Sequence, residues 1–387
     1  NIKISLQIKR TEYKGGKTMR LFKKVLAVSV ASMCALSLAA CGGSKSAETT
    51  AAASSESKEE TKAGESVSEA VAATGKDAKD IKVGISIYKF DDNFMTLYRN
   101  ELVRYLTEDC GIPKDNIVVQ DGKNDQAEQT NQINNFIATK VDVMILNLVQ
   151  SSSAPTVTDL AKEAGIPVVY INREPDETEE SRWASDGIKA TYVGADARQS
   201  GTFQGEEIAE LDNKGDINGD GTVKYIMIQG DPENIDAQYR TEYSVKALTE
   251  KSGLKADELL IQRGDWDQAK GQQIAQDALT QYGKDIEVIF CNNDAMALGA
   301  LQAINAAGRK VGEDIYIVGV DALAEAVQNV SEGKMTGTVF NDFISQAQAA
   351  AKAAISFTND EKVDTKIPVD YVKVTKDNAA DILKLVK

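Results

Sequence analysis

From Lys82 onward the chain alternates short β-branched runs with amphipathic stretches, and this alternation narrows its possible folds more than any other feature. KVGISIY precedes NFMTLYRNELVRYLTE, NIVVQ precedes QTNQINNFIAT, VDVMILNL precedes TVTDLAKEAG, and IPVVYIN closes a first set. A second set begins at TYVGAD and runs through VKYIMIQGD, ELLIQRG, EVIFCNND and YIVGVD, each followed by a helical pattern. Such alternation implies βαβ units, and therefore parallel sheets covered by helices on both faces. The units are too many for one small sheet, and 387 residues suffice for two medium cores. The polar interval PDETEESRWASDGIKA, residues 175–190, is the natural division. After MTGTVFND, the helix ISQAQAAAKAAISFTND and PVDYVKVT supply further crossings between the lobes. The expected fold is α/β, with two doubly wound parallel-sheet lobes and a multi-strand hinge. One lobe takes residues 81–188 plus 342–371, the other 189–341 plus 372–387.

The first eighty residues read differently. Residues 20–41, RLFKKVLAVSVASMCALSLAAC, have a basic start, an apolar stretch short for a bilayer span, then small residues, which is the pattern of an export signal over 19–40. Leu38, Ala39, Ala40 and Cys41 resemble the lipobox of bacterial lipoproteins, where the cysteine after the cleavage point is diacylated; the alternative is an ordinary signal with an incidental cysteine. Lys-Gly-Gly ahead of Met19 can be encoded by a ribosome-binding site, so residues 1–18 are expected to be translated leader. From Gly42 to about Asp80 large apolar side chains are nearly absent, and such a segment cannot offset its conformational entropy by burial. A disordered tether over 41–80, running from a lipid on Cys41 to the domain, is the expectation; a short Ala-rich helix is the alternative.

Removal of residues 1–40 leaves 36 basic against 58 acidic residues, a net charge of −22, which argues against nucleic acid as a partner. Histidine is absent, which excludes Ser-His and Cys-His nucleophiles and imidazole-rich zinc sites. Cys110 and Cys291 are too few and too far apart for a disulfide framework and are expected as free thiols.

Ligands of doubly wound sheets sit at the carboxyl ends of strands. Asp92 and Phe94 follow KVGISIY, Asn147 ends VDVMIL, Asp236 follows VKYIMIQ, Trp266 follows ELLIQRG, Asn293 follows EVIFC, Asp321 follows YIVGV and Asn341 follows GTVF. Each alone has a plainer explanation, since Asp or Asn after a strand is commonly a helix N-cap or turn residue. As a set they suit a sugar: carboxylates and amides pair with hydroxyls, the Arg240 guanidinium can serve two oxygens, and aromatic rings cover C–H faces. No Gly-rich phosphate loop is present. A further stretch, DINGDGTVK, places Asp216, Asn218 and Asp220 alternately, with Gly221 at a turn and Thr222 at the position of a carbonyl ligand, as in the first half of an EF-hand loop. Position twelve is Met227, so the EF-hand pattern is incomplete.

IYKFDDNFM, ILNLV, QGDPENIDAQYR, GDWDQA, FCNNDAMALGA, VGVDALAEA and GTVFND resemble, in order and spacing, blocks of the bacterial galactose/glucose-binding proteins of ABC sugar uptake, over residues 82–380. The resemblance implies a type I periplasmic-binding-protein fold without enzymatic activity. It implies that Phe94 and Trp266 sandwich a pyranose, and that Asp92 accepts either epimer at the 4-hydroxyl. Asn147, Asp236, Arg240, Asn293, Asp321 and Asn341 become the other hydroxyl partners, and Asn234 stands where the best-known members have histidine. It also implies a structural calcium ion, held by Asp216, Asn218, Asp220 and the Thr222 carbonyl and completed by a remote glutamate matching Glu287. Lys224 stands where that family usually has a glutamine ligand. The implied protein is a monomeric, lipid-anchored binding protein on the extracytoplasmic face of the membrane, passing galactose, glucose or methyl galactosides to an ABC permease. Alternatives are another monosaccharide, a subunit presenting sugar to a sensory receptor, or an exported glycosidase using Asp92 and Asp236.

Overall fold

The computed structural model describes residues 75–387. The expected leader, export signal, Cys41 and the tether as far as residue 74 lie outside the described residues. Residues 75–80, read above as the end of the tether, are instead attached to the domain. Asp77 caps a single turn at Ala78–Asp80, and Lys76 reaches Asp142 at 2.6 Å. The sequence offers no large apolar side chain here, and the attachment is made by charges and backbone.

The first lobe contains β1 (Val83–Ile87), α1 (Asn93–Arg104), β2 (Ile117–Asp121), α2 (Gln126–Ala138), β3 (Val143–Leu146), α3 (Ala154–Ala164), β4 (Val168–Ile171), α4 (Glu177–Ser185) and β5 (Ala190–Gly194). The second holds α5 (Ala197–Ala209), β6 (Thr222–Gln229), α6 (Ile235–Ser252), β7 (Lys255–Arg263), α7 (Gln268–Tyr282), β8 (Val288–Cys291), α8 (Asp294–Ala306), β9 (Tyr316–Val318), α9 (Ala324–Ser331) and β10 (Thr338–Phe340). Helix α10 (Phe343–Thr358) returns to pack on α1, and β11 (Lys366–Pro368) joins the first sheet beside β5. Strand β12 (Val372–Val374) then pairs with β10, and α11 (Ala379–Val386) packs on α9. The chain thus passes between lobes after β5, after β10 and between β11 and β12.

The first sheet has the parallel order β11-β5-β4-β3-β1-β2, and the second the parallel order β7-β6-β8-β9. In both, the opening strand lies inside the sheet with its successor on one side and the third strand on the other. That reversal leaves a crevice beyond the strand ends. Strands β1, β3, β4 and β8 bury every residue, as parallel strands covered on both faces must. Each such Val, Ile or Leu contributes about 1.5–3 kcal/mol relative to exposure.

The division expected between residues 188 and 189 falls one strand too early. Strand β5 pairs in parallel with β4, Val168 opposite Ala190, and belongs to the first sheet. The polar interval before it is helix α4, which buries only the stripe Glu179, Glu180 and Trp183. Trp183 stacks on Tyr170 with centroids 5.3 Å apart, and its indole N–H donates to Glu179 at 2.7 Å. One large ring anchors a helix whose other faces meet water, so composition alone resembles a linker. Cys110 and Cys291 are free thiols.

Candidate ligand-binding cleft

The carboxyl ends of both sheets face a small cleft. Nine of the ten candidate residues line it: Asp92 and Phe94 from the first lobe, Asn234, Asp236, Arg240, Trp266, Asn293 and Asp321 from the second, and Asn341 at the crossing after β10.

Three of these residues are also helix caps. Asp92 Oδ1 accepts from the Met95 amide at 2.7 Å, Asn234 Oδ1 from that of Asp236 at 3.0 Å, and Asn293 Oδ1 from that of Met296 at 3.0 Å. Each satisfies an otherwise unpaired first-turn donor, and capping fixes the side chain at the cleft. Asp92 has its second oxygen on the Tyr88 hydroxyl at 2.6 Å, and the Asn293 amide nitrogen donates to the Trp266 carbonyl at 3.4 Å. The plainer explanation and the ligand-binding one are therefore compatible.

Asp236 is 4 % exposed and Asp321 5 %. Burial raises the Asp236 carboxyl to about 6, partly opposed by Arg240, whose nearest nitrogen is 4.0 Å away. Burial likewise raises Asp321 to about 7; Arg240 and the Asn341 amide at 3.3 Å counter it, while Asp92 and Asp236 reinforce it. Arg240 is held on three sides, donating to Ser200 Oγ at 3.2 Å, the Asn292 carbonyl at 2.8 Å and the Tyr371 hydroxyl at 2.9 Å. Tyr371 lies between β11 and β12, so this guanidinium bonds into one of the crossings. Asn341 Oδ1 accepts from Gln346 at 2.6 Å, which orients its amide nitrogen toward Asp321.

The Trp266 ring sits against Gly230, where any Cβ would lie 2.2 Å from an indole carbon. Trp266 itself has φ of +64°, and its buried indole N–H has no protein partner. Left-handed backbone recurs around the cleft at Asn172, Asp265, Asp321 and Ala322, uncommon conformations held by the surrounding structure.

Asn147 is the exception to the expected set. It is fully buried behind the cleft, accepting from the Tyr88 amide at 3.3 Å and donating to the Ile171 carbonyl at 3.2 Å and Asn172 Oδ1 at 3.1 Å. Its hydrogen bonds brace two wall residues instead of lining the cleft. Those residues, Tyr88 and Asn172, and their neighbour Arg173 were not among the candidates. Arg173 is 3 % exposed, lies 3.8 Å from the centre of the Tyr88 ring and donates to the Val149 carbonyl. Asn172 and Arg173 directly follow β4, so the strand-end rule that located the others covers them too.

The Asp216–Lys224 loop adopts a closed conformation built on its own amides. Asp216 accepts from Gly219, Asp220 and Gly221, Asn218 from Asp220, and Asp220 from Thr222. Glu287, 2 % exposed, does meet this loop as the resemblance implied. Its Oε1 accepts from Ile217 at 2.8 Å and Asn218 at 3.0 Å, and its Oε2 from the Lys224 amide at 2.9 Å. The Lys224 ammonium stands 3.4 Å from Asp220 Oδ2. Among the described residues no group of three or more acidic, His or Cys side chains is placed to hold a metal ion.

Two lobes that close their strand ends over a small polar and aromatic cleft define a solute-binding protein. The family described as periplasmic binding protein domain matches residues 83–362, and the chain belongs to that family. The chain is 37% identical over 321 residues to the D-galactose/methyl-galactoside binding periplasmic protein MglB of Haemophilus influenzae, an alignment covering 79% of this chain and 93% of that one. It is 27% identical over 261 residues to the ribose import binding protein RbsB of Escherichia coli, covering 67% of this chain and 80% of that protein. A solved ABC transporter solute-binding protein from Bacillus halodurans with bound myo-inositol superposes with a TM-score of 0.69 at 29% identity, covering 80% of this chain and 99% of that one. The family consists of extracytoplasmic solute-binding proteins of sugar transport, not enzymes.

Proposed function

We propose that the protein binds D-galactose or D-glucose as a pyranose in this cleft and delivers it to an ABC permease. The observation that carries the reading is a single small space walled by three buried or capping carboxylates, Asp92, Asp236 and Asp321, together with Phe94 and Trp266. Sugar hydroxyls donate to the carboxylates, Asn234, Asn293, Asn341 and the Arg240 guanidinium complete their hydrogen bonds, and the rings cover the C–H faces. Contacts from both lobes favour the closed state, which couples occupancy to the shape a permease can distinguish. Methyl galactosides are within the same reading, which the galactoside-binding relative supports. The protein acts as a monomer, tethered to the membrane through a lipid on Cys41; presentation of the closed form to a sensory receptor would use the same cleft.

Calorimetric titration of protein stripped of carried-over sugar tests the ligand. Glucose or galactose binds with micromolar or tighter affinity, while ribose, xylose and arabinose bind far more weakly. Absence of heat with both hexoses, or tighter binding of a pentose, overturns the named sugar. Mass spectrometry of the membrane-extracted protein reads the anchor as a diacylglyceryl group on an N-terminal Cys41.

A further inference from the structure

We propose that the Lys224 ammonium takes the place of the cation that the resemblance implied in the Asp216–Lys224 loop, making the loop independent of calcium. Asp216, Asp220 and Glu287 each accept backbone amides of this loop. A calcium ion neutralises such a group by accepting six to eight oxygen ligands, a bidentate carboxylate among them. In this chain Glu287 cannot be that ligand while the loop keeps its hydrogen bonds. Oε1 takes two amides, from Ile217 and Asn218, which occupies both of its lone pairs, and Oε2 takes the amide of Lys224. The glutamate therefore binds the loop's backbone directly, doing mechanically what a shared cation would do.

Lys224 supplies the charge. It opens toward the loop from β6, one residue after Val223, and its ammonium lies 3.4 Å from Asp220 Oδ2. An ammonium has three donors and no lone pair, so it neutralises carboxylates without being able to ligate a metal. A divalent ion entering the loop would meet this positive charge and would have to displace it from Asp220. The pair is partly exposed, with Lys224 28% and Asp220 44% accessible, so its direct stabilisation is small. Its consequence is exclusion: a charge fixed to the chain is present at every calcium concentration.

The test is thermal unfolding of the mature protein with millimolar calcium chloride or with a chelator, beside Lys224→Gln, which exchanges the ammonium for an amide oxygen. The wild-type midpoint stays the same in both media. The variant gains a calcium-dependent rise of about 1–3 °C. It also sensitises terbium luminescence, which the wild type does not. Sugar affinity, read by calorimetry, is the control for folding, since the loop lies outside the cleft. A wild-type midpoint that rises with calcium overturns the proposal outright. A Lys224→Gln protein that binds sugar normally yet ignores calcium and terbium also overturns it, by showing that the lysine is not what replaces the ion.

Discussion

The cleft and the Asp216–Lys224 loop use the same side chains, Asp and Asn near strand ends, with opposite results. In the cleft Asp236 and Asp321 are buried with their carboxyls raised to about 6 and 7, facing a space that a ligand can enter. In the loop, desolvation of Asp220 is outweighed by the Thr222 amide, Lys224 and Asn218 together, and its carboxyl falls below the ordinary range. The contrast shows that an acid is available to a ligand only when the surrounding backbone leaves its oxygens unsatisfied. A helix cap, as at Asp92 and Asn293, puts a backbone amide on one oxygen only, whereas a run of turns, as at Asp216, puts backbone amides on both.

Removing a cleft acid should give the largest effect. Asp236→Ala leaves sugar hydroxyls unpaired in a dry site, which costs about 1–3 kcal/mol of binding, or roughly 5- to 150-fold in affinity. Titration calorimetry reads it, and unchanged affinity would remove Asp236 from the site. The matching change in the loop, Glu287→Gln, should do the reverse. Its amide nitrogen would confront backbone N–H donors, costing about 1–3 kcal/mol of stability in denaturant unfolding, with sugar affinity unaltered. A loss of affinity there would mean that loop and cleft are coupled.

The gentlest probe is pH. Asp236 and Asp321 have folded-state values above the ordinary 3.8, so their ionisation opposes folding of the sugar-free protein. That penalty is fully present above about 7, is relieved as pH falls through about 7 and then about 6, and disappears only below 3.8. Sugar binding has the opposite slope, because hydroxyls donate best to the ionised carboxylates. Between pH 8 and 6 the affinity should fall by roughly three- to tenfold while these two groups make the sugar-free protein more stable. Asp321→Asn should flatten both slopes; identical slopes in wild type and variant would assign the pH dependence elsewhere.

Much of the fold was legible because local pattern and global fold agree. The largely apolar β1, β3, β4 and β8 announce parallel strands buried on both faces, and polar residues after them announce the cleft. Tertiary context decided the cases where one signal served two outcomes. Trp183 makes α4 part of the first lobe through a single stacked ring, and the pairing of Ala190 with Val168 carries β5 into that sheet; neither long-range contact leaves a local trace. Asn147 and Asn172 both end strands, yet one turns inward to brace and the other lines the cleft with φ of +61°. The sequence by itself determined the alternation of elements, the acid and aromatic inventory and the absence of histidine, since these depend on residue identity and short-range periodicity. Only the tertiary structure decided which oxygens remain open to a ligand. That depends on which distant amides and charges arrive beside each one, as Lys224 and the Ile217 amide do at Asp220 and Glu287.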